Sequence, residues 1–396
     1  MYKVENKILE KGNKPTIMFV ATSALSANAF FKNHLVALSK HYRIIVGTNT
    51  YEYQLLPEIT NLVELHHIPF VRQIDILSDI NSLFYLTMLV SKIKPISVQS
   101  IHPKAGLLTM IAAWVCHVPI RIHVFTGQAW VTKSGFSRLL LKSCDRLIAI
   151  LANSLLADSP SQMQFIVDEG IAKAQDIQVL CDGSICGVDA ERFKPDEESK
   201  VRIRDQLGIP EDATIALFMG RIKKEKGALD LAKAFATHQP ELNNLYLVFA
   251  GPDEEGLREE ILKLTSLKGN YVRFVGAVNN PEDFYAAADF LCLPSHREGF
   301  GLVTIEAAAA GIPTLASRIY GITDAIVDGV TGILHTPGDS LEIAKGLQEM
   351  ANNLKSRQAM GTAAKKRALD QFSVTRIVDA HLSYYQLLIQ NRRSHA

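Results

Sequence analysis

The feature that most constrains this chain is an alternation that runs, stops and runs again. Short β-rich apolar stretches at Thr16–Ala21, Arg43–Gly47, Val63–Ile68, Ser97–Ser100, Ile120–Phe125, Arg146–Ile150 and Ile177–Cys181 read as strands. Helical patterns lie between them, near Ala27–Lys40, Ile80–Lys92, Lys104–His117, Gly135–Ser143 and Ser161–Glu169. This order predicts a mostly parallel sheet with helices on both faces. The strands are continuous apolar runs, as burial on both faces requires. The rhythm breaks at Asp182–Lys200, which holds Gly183, Gly187, Pro195 and a charged cluster, and then restarts. Thr214–Met219, Tyr246–Ala250, Tyr271–Val275, Phe290–Pro294 and Pro313–Ala316 read as strands. Gly227–His238, Gly256–Ser266, Pro281–Ala287, Gly301–Ala310, Leu341–Asn352 and Ser356–Phe372 read as helices. The expected fold class is therefore α/β, with two doubly wound domains, 1–190 and 191–373, facing across a cleft. A last helical pattern, Val374–Gln390, has no strand after it, and the segment 374–396 is free to pack back on the first domain. A chain of 396 residues is long enough for two such cores.

Composition excludes several other classes. With 47% hydrophobic and 21% charged residues the chain can bury a sizeable core, which rules out wholesale disorder. Its 42 basic and 41 acidic residues leave a net charge of +1, unlike a nucleic-acid binder, and no nucleic-acid partner is expected. The five cysteines, Cys116, Cys144, Cys181, Cys186 and Cys292, are scattered without a C-x-x-C pair. That argues against a disulfide framework and a zinc site, and predicts reduced thiols in a cytoplasmic protein. The N-terminal MYKVENKILEKGNK lacks the apolar run of a signal peptide. The longest uncharged run, Ala105–Ile120, has 16 residues and includes His117 and Pro119; it reads as a buried helix followed by a strand.

In open α/β sheets ligands sit beyond the carboxyl ends of the strands, so chemistry is expected in the loops that follow them. The strongest signal is Ser295-His-Arg-Glu298-Gly-Phe-Gly301-Leu-Val-Thr-Ile-Glu306, after the apolar DFLCLP. Gly299 and Gly301 allow close backbone approach. A helix starting near Gly301 turns free N–H groups and its positive dipole end toward the loop. Glu298 and Glu306 can accept hydrogen bonds from hydroxyls, and an anion site beside hydroxyl acceptors describes a nucleotide sugar. The competing reading is a plain strand–turn–helix junction with two solvated glutamates. The second signal is Phe218-Met219-Gly220-Arg221-Ile-Lys-Lys224-Glu-Lys226-Gly227, where a turn glycine precedes two cations suited to a diphosphate. The alternative there is a solvated basic loop; the Walker pattern is absent, which disfavours ATP hydrolysis.

Together, in this order, these segments resemble glycosyltransferase family 4, retaining enzymes with the GT-B architecture of two Rossmann-like domains. The resemblance covers nearly the whole chain. It includes FMGRIKKEKG, VRFVGAV, ADFLCLPSHREGFGLVTIEAAAAGIPTLAS and DGVTGIL, and ADSPSQ and GVDAERF before them. The segment RIHVFTGQAW is similar to bacterial transferases that build O-antigen or capsular polysaccharide.

The resemblance implies that Arg221 and Lys226 grip the donor diphosphate, with Gly220 in the turn before them. It further implies that Glu306 holds ribose hydroxyls and Glu298 the sugar hydroxyls, with backbone groups of Gly299, Phe300, Gly301 and Leu302 alongside. The loop at Val275 and Gly276 would receive the base. On the acceptor side, family members often carry a His-Gly pair where this chain has Thr126-Gly127. His102, which heads a loop before a helix, and His123 are the alternative imidazoles; turn and core roles compete with function for both. The family's Gly-Gly turn near the N-terminus is replaced by Thr22-Ser23-Ala24, with Asn28 nearby, and a frequent Glu appears as Asp324.

The resemblance makes no first-domain loop carboxylate a nucleophile, and it implies front-face substitution assisted by the leaving phosphate. No Asp-x-Asp occurs, and no metal or other cofactor is expected, with Arg221 and Lys226 in the metal's place. The resemblance implies a UDP-linked donor, first an N-acetylhexosamine, and a lipid-linked or oligosaccharide acceptor at the inner face of the cell membrane. Lys32, Lys40, Arg43, Lys133, Arg138 and Lys142 either form a basic surface for peripheral contact with anionic lipid or are ordinary solvated cations. A nucleotide-sugar 2-epimerase and a noncatalytic nucleotide-sugar binding subunit remain as alternatives.

Overall fold

The computed structural model describes residues 14–71, 73–237 and 244–394. The N-terminal segment read against a signal peptide, as far as residue 13, and the helix end expected at His238 lie outside the described residues. Seven strands form one sheet: β1 (Thr16–Ser23), β2 (Arg43–Asn49), β3 (Glu64–His67), β4 (Ser97–Ile101), β5 (Ile120–Phe125), β6 (Ser154–Ala157) and β7 (Ile177–Val179). Six form another: β8 (Thr214–Met219), β9 (Leu245–Ala250), β10 (Val272–Gly276), β11 (Phe290–Leu293), β12 (Thr314–Ser317) and β13 (Gly332–His335). The strand orders are β3-β2-β1-β4-β5-β6-β7 and β10-β9-β8-β11-β12-β13. All these pairings are parallel. Both sheets are thus doubly wound, and each changes winding direction once, between β1 and β4 and between β8 and β11.

In the first sheet the helices divide between the two faces. Helices Ala24–Ser39 and Val374–Ser394 cover one face, around Phe19, Phe31 and Tyr385. Helices Ile76–Ile93, Pro103–Val115 and Gly135–Leu151 lie side by side on the other, over Met18, Val20, Phe125 and Leu155. The uncharged run Ala105–Ile120 is the second of these helices and the start of β5.

Three elements differ from expectation. Arg146–Ile150 lies within the helix Gly135–Leu151, and the strand of that unit is β6. The run looked continuous because this helix is apolar on both sides: Ile148 and Leu151 face the core, while Leu147 and Ile150 are exposed. The charged stretch read as a break contains the start of the helix Glu197–Leu207, capped by the Asp196 carboxylate and ended by Gly208 at φ 61°. Strand β13 also went unread; at four residues it is too short to declare a period.

The chain crosses between the sheets twice, and the crossings are bonded to each other. Val188 N–H donates to Phe372 O at 2.8 Å, and Val374 N–H donates to Val188 O at 2.9 Å. The final helix then returns to the first sheet. There His381 reaches Gln99 Oε1 at 3.0 Å and His34 at 2.9 Å, while the Tyr385 hydroxyl donates to Gln99 Oε1 at 2.6 Å. His34 in turn meets Ile185 O at 2.6 Å, so this buried chain ends on the crossing segment.

Candidate active site

The two strongest sequence signals leave β8 and β11, neighbours at the second sheet's change of winding. Their loops therefore meet. Gly227, at φ 73°, sits so close to the end of β11 that an added Cβ would lie 2.0 Å from Pro294 O. His296 N–H donates to Glu225 O at 2.9 Å, and Arg297 Nη2 reaches Glu225 Oε1 at 2.6 Å. This brings Lys226 Nζ to 2.5 Å from Glu298 Oε1, with the two side chains 18% and 13% exposed. The Ser295 hydroxyl donates to the same oxygen at 2.9 Å. Arg221 is more open and shares Glu254 with Lys223, at 3.4 and 2.8 Å.

Around this pair stand the other donor-side candidates. Gly301, at φ 81°, precedes the helix Leu302–Ala309 and makes no side-chain cap bond to it. Glu306, on that helix, accepts from the Tyr285 hydroxyl at 2.8 Å, and burial pushes its carboxyl above the usual range. Phe300 is buried, edge-on to Phe372 at 5.2 Å, so its side chain is core and only its backbone is available to the loop. Leu302 packs against the cores of both halves. Gly220 and Gly276 adjoin at Gly251, whose N–H donates to Gly276 O at 2.7 Å, and Val275 packs on the second core.

The opposite wall comes from the first sheet's own change of winding. Ser23 ends β1 and caps the next helix, accepting from Ser26 N–H at 3.3 Å; Asn28 instead pins the loop after β2 through Gln54 and Leu56. His102 follows β4 at φ 69° and packs edge-on to Phe30. Burial, with a smaller push from the Arg221 cation, lowers its imidazole to about 4, so it is neutral at pH 7. His123 lies deeper. It is fully buried, bonded to Ser100 Oγ at 2.9 Å and pressed under Gly106, where a Cβ would meet its ring at 2.3 Å. His102 and Arg221 thus come together, with His123 behind His102 in the core, where burial and, to a smaller degree, the neighbouring His102 lower its imidazole to about 3.

Thr126 and Gly127 touch the loop at Glu298 and Gly299 directly. An added Cβ on Gly299 would lie 2.8 Å from Gly127 N, and one on Gly127 would lie 3.1 Å from Gly299 N. Arg297 Nη1 donates to Gly127 O at 2.8 Å. The close approach that Gly299 permits is therefore to the first half's backbone. Other bonds across the same joint join the Ser161 hydroxyl to Asp324 at 2.5 Å and Gly321 N–H to Ser161 Oγ at 2.7 Å. Phe165 stacks on Tyr320 at 4.5 Å.

Sequence reasoning missed Asp158, which directly follows β6 inside the phrase ADSPSQ. Its carboxylate accepts from Ile185 N–H at 2.7 Å, its carbonyl from Ser184 N–H at 2.7 Å, and its second oxygen faces Gly299. Burial, with the Glu298 charge adding, raises it to about 6. Tyr285 was missed as well; its place in the PEDFYAA helix gave no hint of a partner twenty-one residues on.

The family described as glycosyl transferases group 1 matches residues 199–367. The chain is 32% identical over 326 residues to the capsular polysaccharide biosynthesis glycosyltransferase CapM of Staphylococcus aureus, covering 82% of this chain and 85% of that one. It is 35% identical to a D-inositol 3-phosphate glycosyltransferase of Streptomyces avermitilis, over 56% of this chain and 49% of that one. Among solved structures, a sucrose-phosphate synthase from Thermosynechococcus elongatus superposes with a TM-score of 0.81 at 19% identity, covering 96% of this chain and all of that one. Anabaena Alr3699/HepE in complex with UDP and glucose gives 0.75 at 20% identity, over 93% and 99% of the two chains. These likenesses show the GT-B architecture.

Proposed function

The chain belongs to the glycosyl transferases group 1 family, and from that premise we propose that it transfers a sugar, with retention, from a nucleoside diphosphate sugar to a lipid-linked saccharide. The pathway is bacterial surface-polysaccharide assembly, and the place is the cytoplasm, at the inner face of the membrane. The first donor to try is UDP-N-acetylhexosamine. The CapM relative, named for capsular polysaccharide biosynthesis, supports the pathway, and the UDP held by the Anabaena protein supports the donor class.

The observation that carries the reading is the Lys226–Glu298 pair at the change of winding, with Arg221 beside it. A sparsely solvated ammonium on a fixed loop is what a departing nucleoside diphosphate requires, because charge develops on its oxygens as the sugar leaves. Arg221 and Lys226 hold the diphosphate. Glu298 turns from the ammonium to the sugar hydroxyls, and Glu306, steadied by Tyr285, holds the ribose. The C1–phosphate bond breaks while the bond from C1 to the acceptor oxygen forms on the same face, and the acceptor proton passes to the leaving phosphate. His102, neutral at pH 7, accepts a hydrogen bond on the acceptor wall, with Ser23, Thr126 and Gly127 beside it. The units 1–190 and 191–373 close on the donor, as domains around a cleft do.

A thermal-shift screen against UDP, GDP, ADP and their sugars, with and without EDTA, tests this. Stabilisation by a UDP-sugar that EDTA leaves unchanged is the expected result; no shift with any nucleotide would remove Arg221 and Lys226 from their roles.

A further inference from the structure

The helix Ile76–Ile93 is the one described helix long and apolar enough, by length and composition, to cross a membrane, yet only 17% of it is buried. It runs about 27 Å along the outside of the first sheet, at the usual rise per residue. Ser82, Leu86 and Val90 face inward. The opposite stripe is apolar too: Leu77 is 81% exposed and Phe84 62%, with Ile80 and Met88 between and beyond them. An amphipathic surface helix would carry polar residues there.

The same departure recurs two helices away. On Gly135–Leu151, Ile148 and Leu151 face inward, while Phe136 is 76% and Ile150 75% exposed, with Leu139 and Leu147 between them. Between these helices, Pro103–Val115 ends on exposed Trp114 and Val115. Exposed large apolar side chains are therefore concentrated on three adjacent helices of one face, where a water-facing surface ordinarily scatters them singly.

Positive charge predominates on this face: Lys92 is exposed at one end, Arg138 and Lys142 line one flank around the Glu169 carboxylate, and Arg146 beside them binds the backbone carbonyls of Glu169 and Gly170. Asp79 turns to Lys104 at 2.7 Å, Asp145 is buried under Trp130 at 2.8 Å, and Asp75 is taken up in capping its helix. These helices begin at the carboxyl edge of the sheet, the edge that carries His102 and Gly127.

We propose that this face docks the protein on an anionic bilayer, with the apolar stripes in the interfacial layer and the cations among the headgroups. A bilayer complements the positive flank, whereas a second copy would set that flank against itself. The face ends at the cleft rim, so docking would present a membrane-held acceptor to the site. The inference thus rests on the lipid-linked acceptor proposed above. Of the basic set read from the sequence this face keeps Arg138 and Lys142, while Lys32 and Arg43 are taken up by Glu58 and Glu64.

The test is flotation of the full chain with vesicles of phosphatidylglycerol and phosphatidylcholine, against phosphatidylcholine alone. Binding to the anionic vesicles that weakens with salt is expected. Leu77→Glu with Phe84→Glu, or Phe136→Glu with Ile150→Glu, should each lower the partition constant at least about tenfold at unchanged melting temperature. Arg146→Gln should lower it roughly fivefold. A wild-type chain that stays unbound overturns the proposal, as do apolar variants that float like wild type. A dimer that these variants dissociate, without vesicle binding, would assign the face to a second copy and overturn it equally. Transfer in detergent solution keeps the two readings apart. Vesicle binding without transfer to any lipid-linked saccharide upholds docking and sinks the acceptor reading; transfer without vesicle binding does the reverse.

Discussion

Replacing Lys226 by methionine separates what the Lys226–Glu298 pair does for the fold from what it does for the reaction. Methionine keeps most of the side-chain volume and removes the charge. The ammonium lies 2.5 Å from Glu298 Oε1, and both side chains are less than one-fifth exposed. An exposed pair is worth up to about 1 kcal/mol, and breaking a fully buried one costs about 3–5 kcal/mol. This pair lies between, and Glu298 keeps its bond from Ser295. Lys226→Met should therefore cost about 1–3 kcal/mol, through a largely buried carboxylate left without a counter-charge. Lys226→Met combined with Glu298→Gln removes that orphan charge and should recover most of the loss. Turnover should behave oppositely. Loss of a charge that stabilises the leaving group costs roughly 10²–10³-fold, and the double variant should be no better than the single one. Thermal melts and single-turnover donor consumption on wild type and both variants measure both effects. Turnover within tenfold of wild type in Lys226→Met, or activity that returns with stability in the double variant, would refute the diphosphate role and leave only a structural ion pair.

Four further outcomes follow from the same geometry. Gly299→Ala puts a methyl 2.8 Å from Gly127 N, closer than real contacts allow, so the halves should separate slightly; donor KM should rise and turnover fall while the melting temperature changes little. Asp158 titrates at about 6 in the fold against 3.8 when free, so the folded state binds the extra proton between those values and this contribution to stability falls as pH rises through them. Asp158→Asn should flatten that part of the pH–melting profile; Asp145 shares the window and leaves a residual slope, so the difference from wild type is the reading. His102→Asn, which tolerates φ 69°, should keep the fold and donor binding but slow transfer, and an unchanged rate would remove His102 from the acceptor wall. Arg221→Ala should weaken donor binding with almost no loss of stability, since the side chain is 42% exposed, and a titration with UDP by calorimetry checks it.

The parts of this molecule that were legible in the sequence are those whose signal is local. Strands such as β8 and β9 are buried on both faces and therefore read as unbroken apolar runs. The loops after β8 and β11 carry their glycines, cations and carboxylates within a dozen residues, so their chemistry could be read before their geometry. What was not legible depends on partners far away in the chain. Asp158 looked like one letter of a supportive phrase because its neighbours, Ile185 and Gly299, arrive from two other segments. Tyr285 is ordinary helix until the fold brings Glu306 beneath its hydroxyl. The misread run Arg146–Ile150 has a different cause. A helix with a second apolar face loses the polar residues that mark its period, so it imitates a buried strand.

The joint between the halves gives the departure at Thr126 a physical meaning. β4 and β5 are neighbours, so His102 and Thr126 emerge side by side on one wall. Thr126 O is held by the side chains of Gln128 and Gln162, and the next residue, Gly127, lies so close to the backbone of the Glu298–Gly299 loop that a Cβ on it would come within 3.1 Å of Gly299 N and one on Gly299 within 2.8 Å of Gly127 N. Arg297, from that loop, returns the contact through Gly127 O. The glycine at this position therefore serves backbone approach between the halves, a demand that is independent of the side chain before it. The imidazole that faces Arg221 comes from His102, on the adjacent strand. A chain with this arrangement can lose the histidine before the glycine and keep the glycine, because the two residues answer to different constraints.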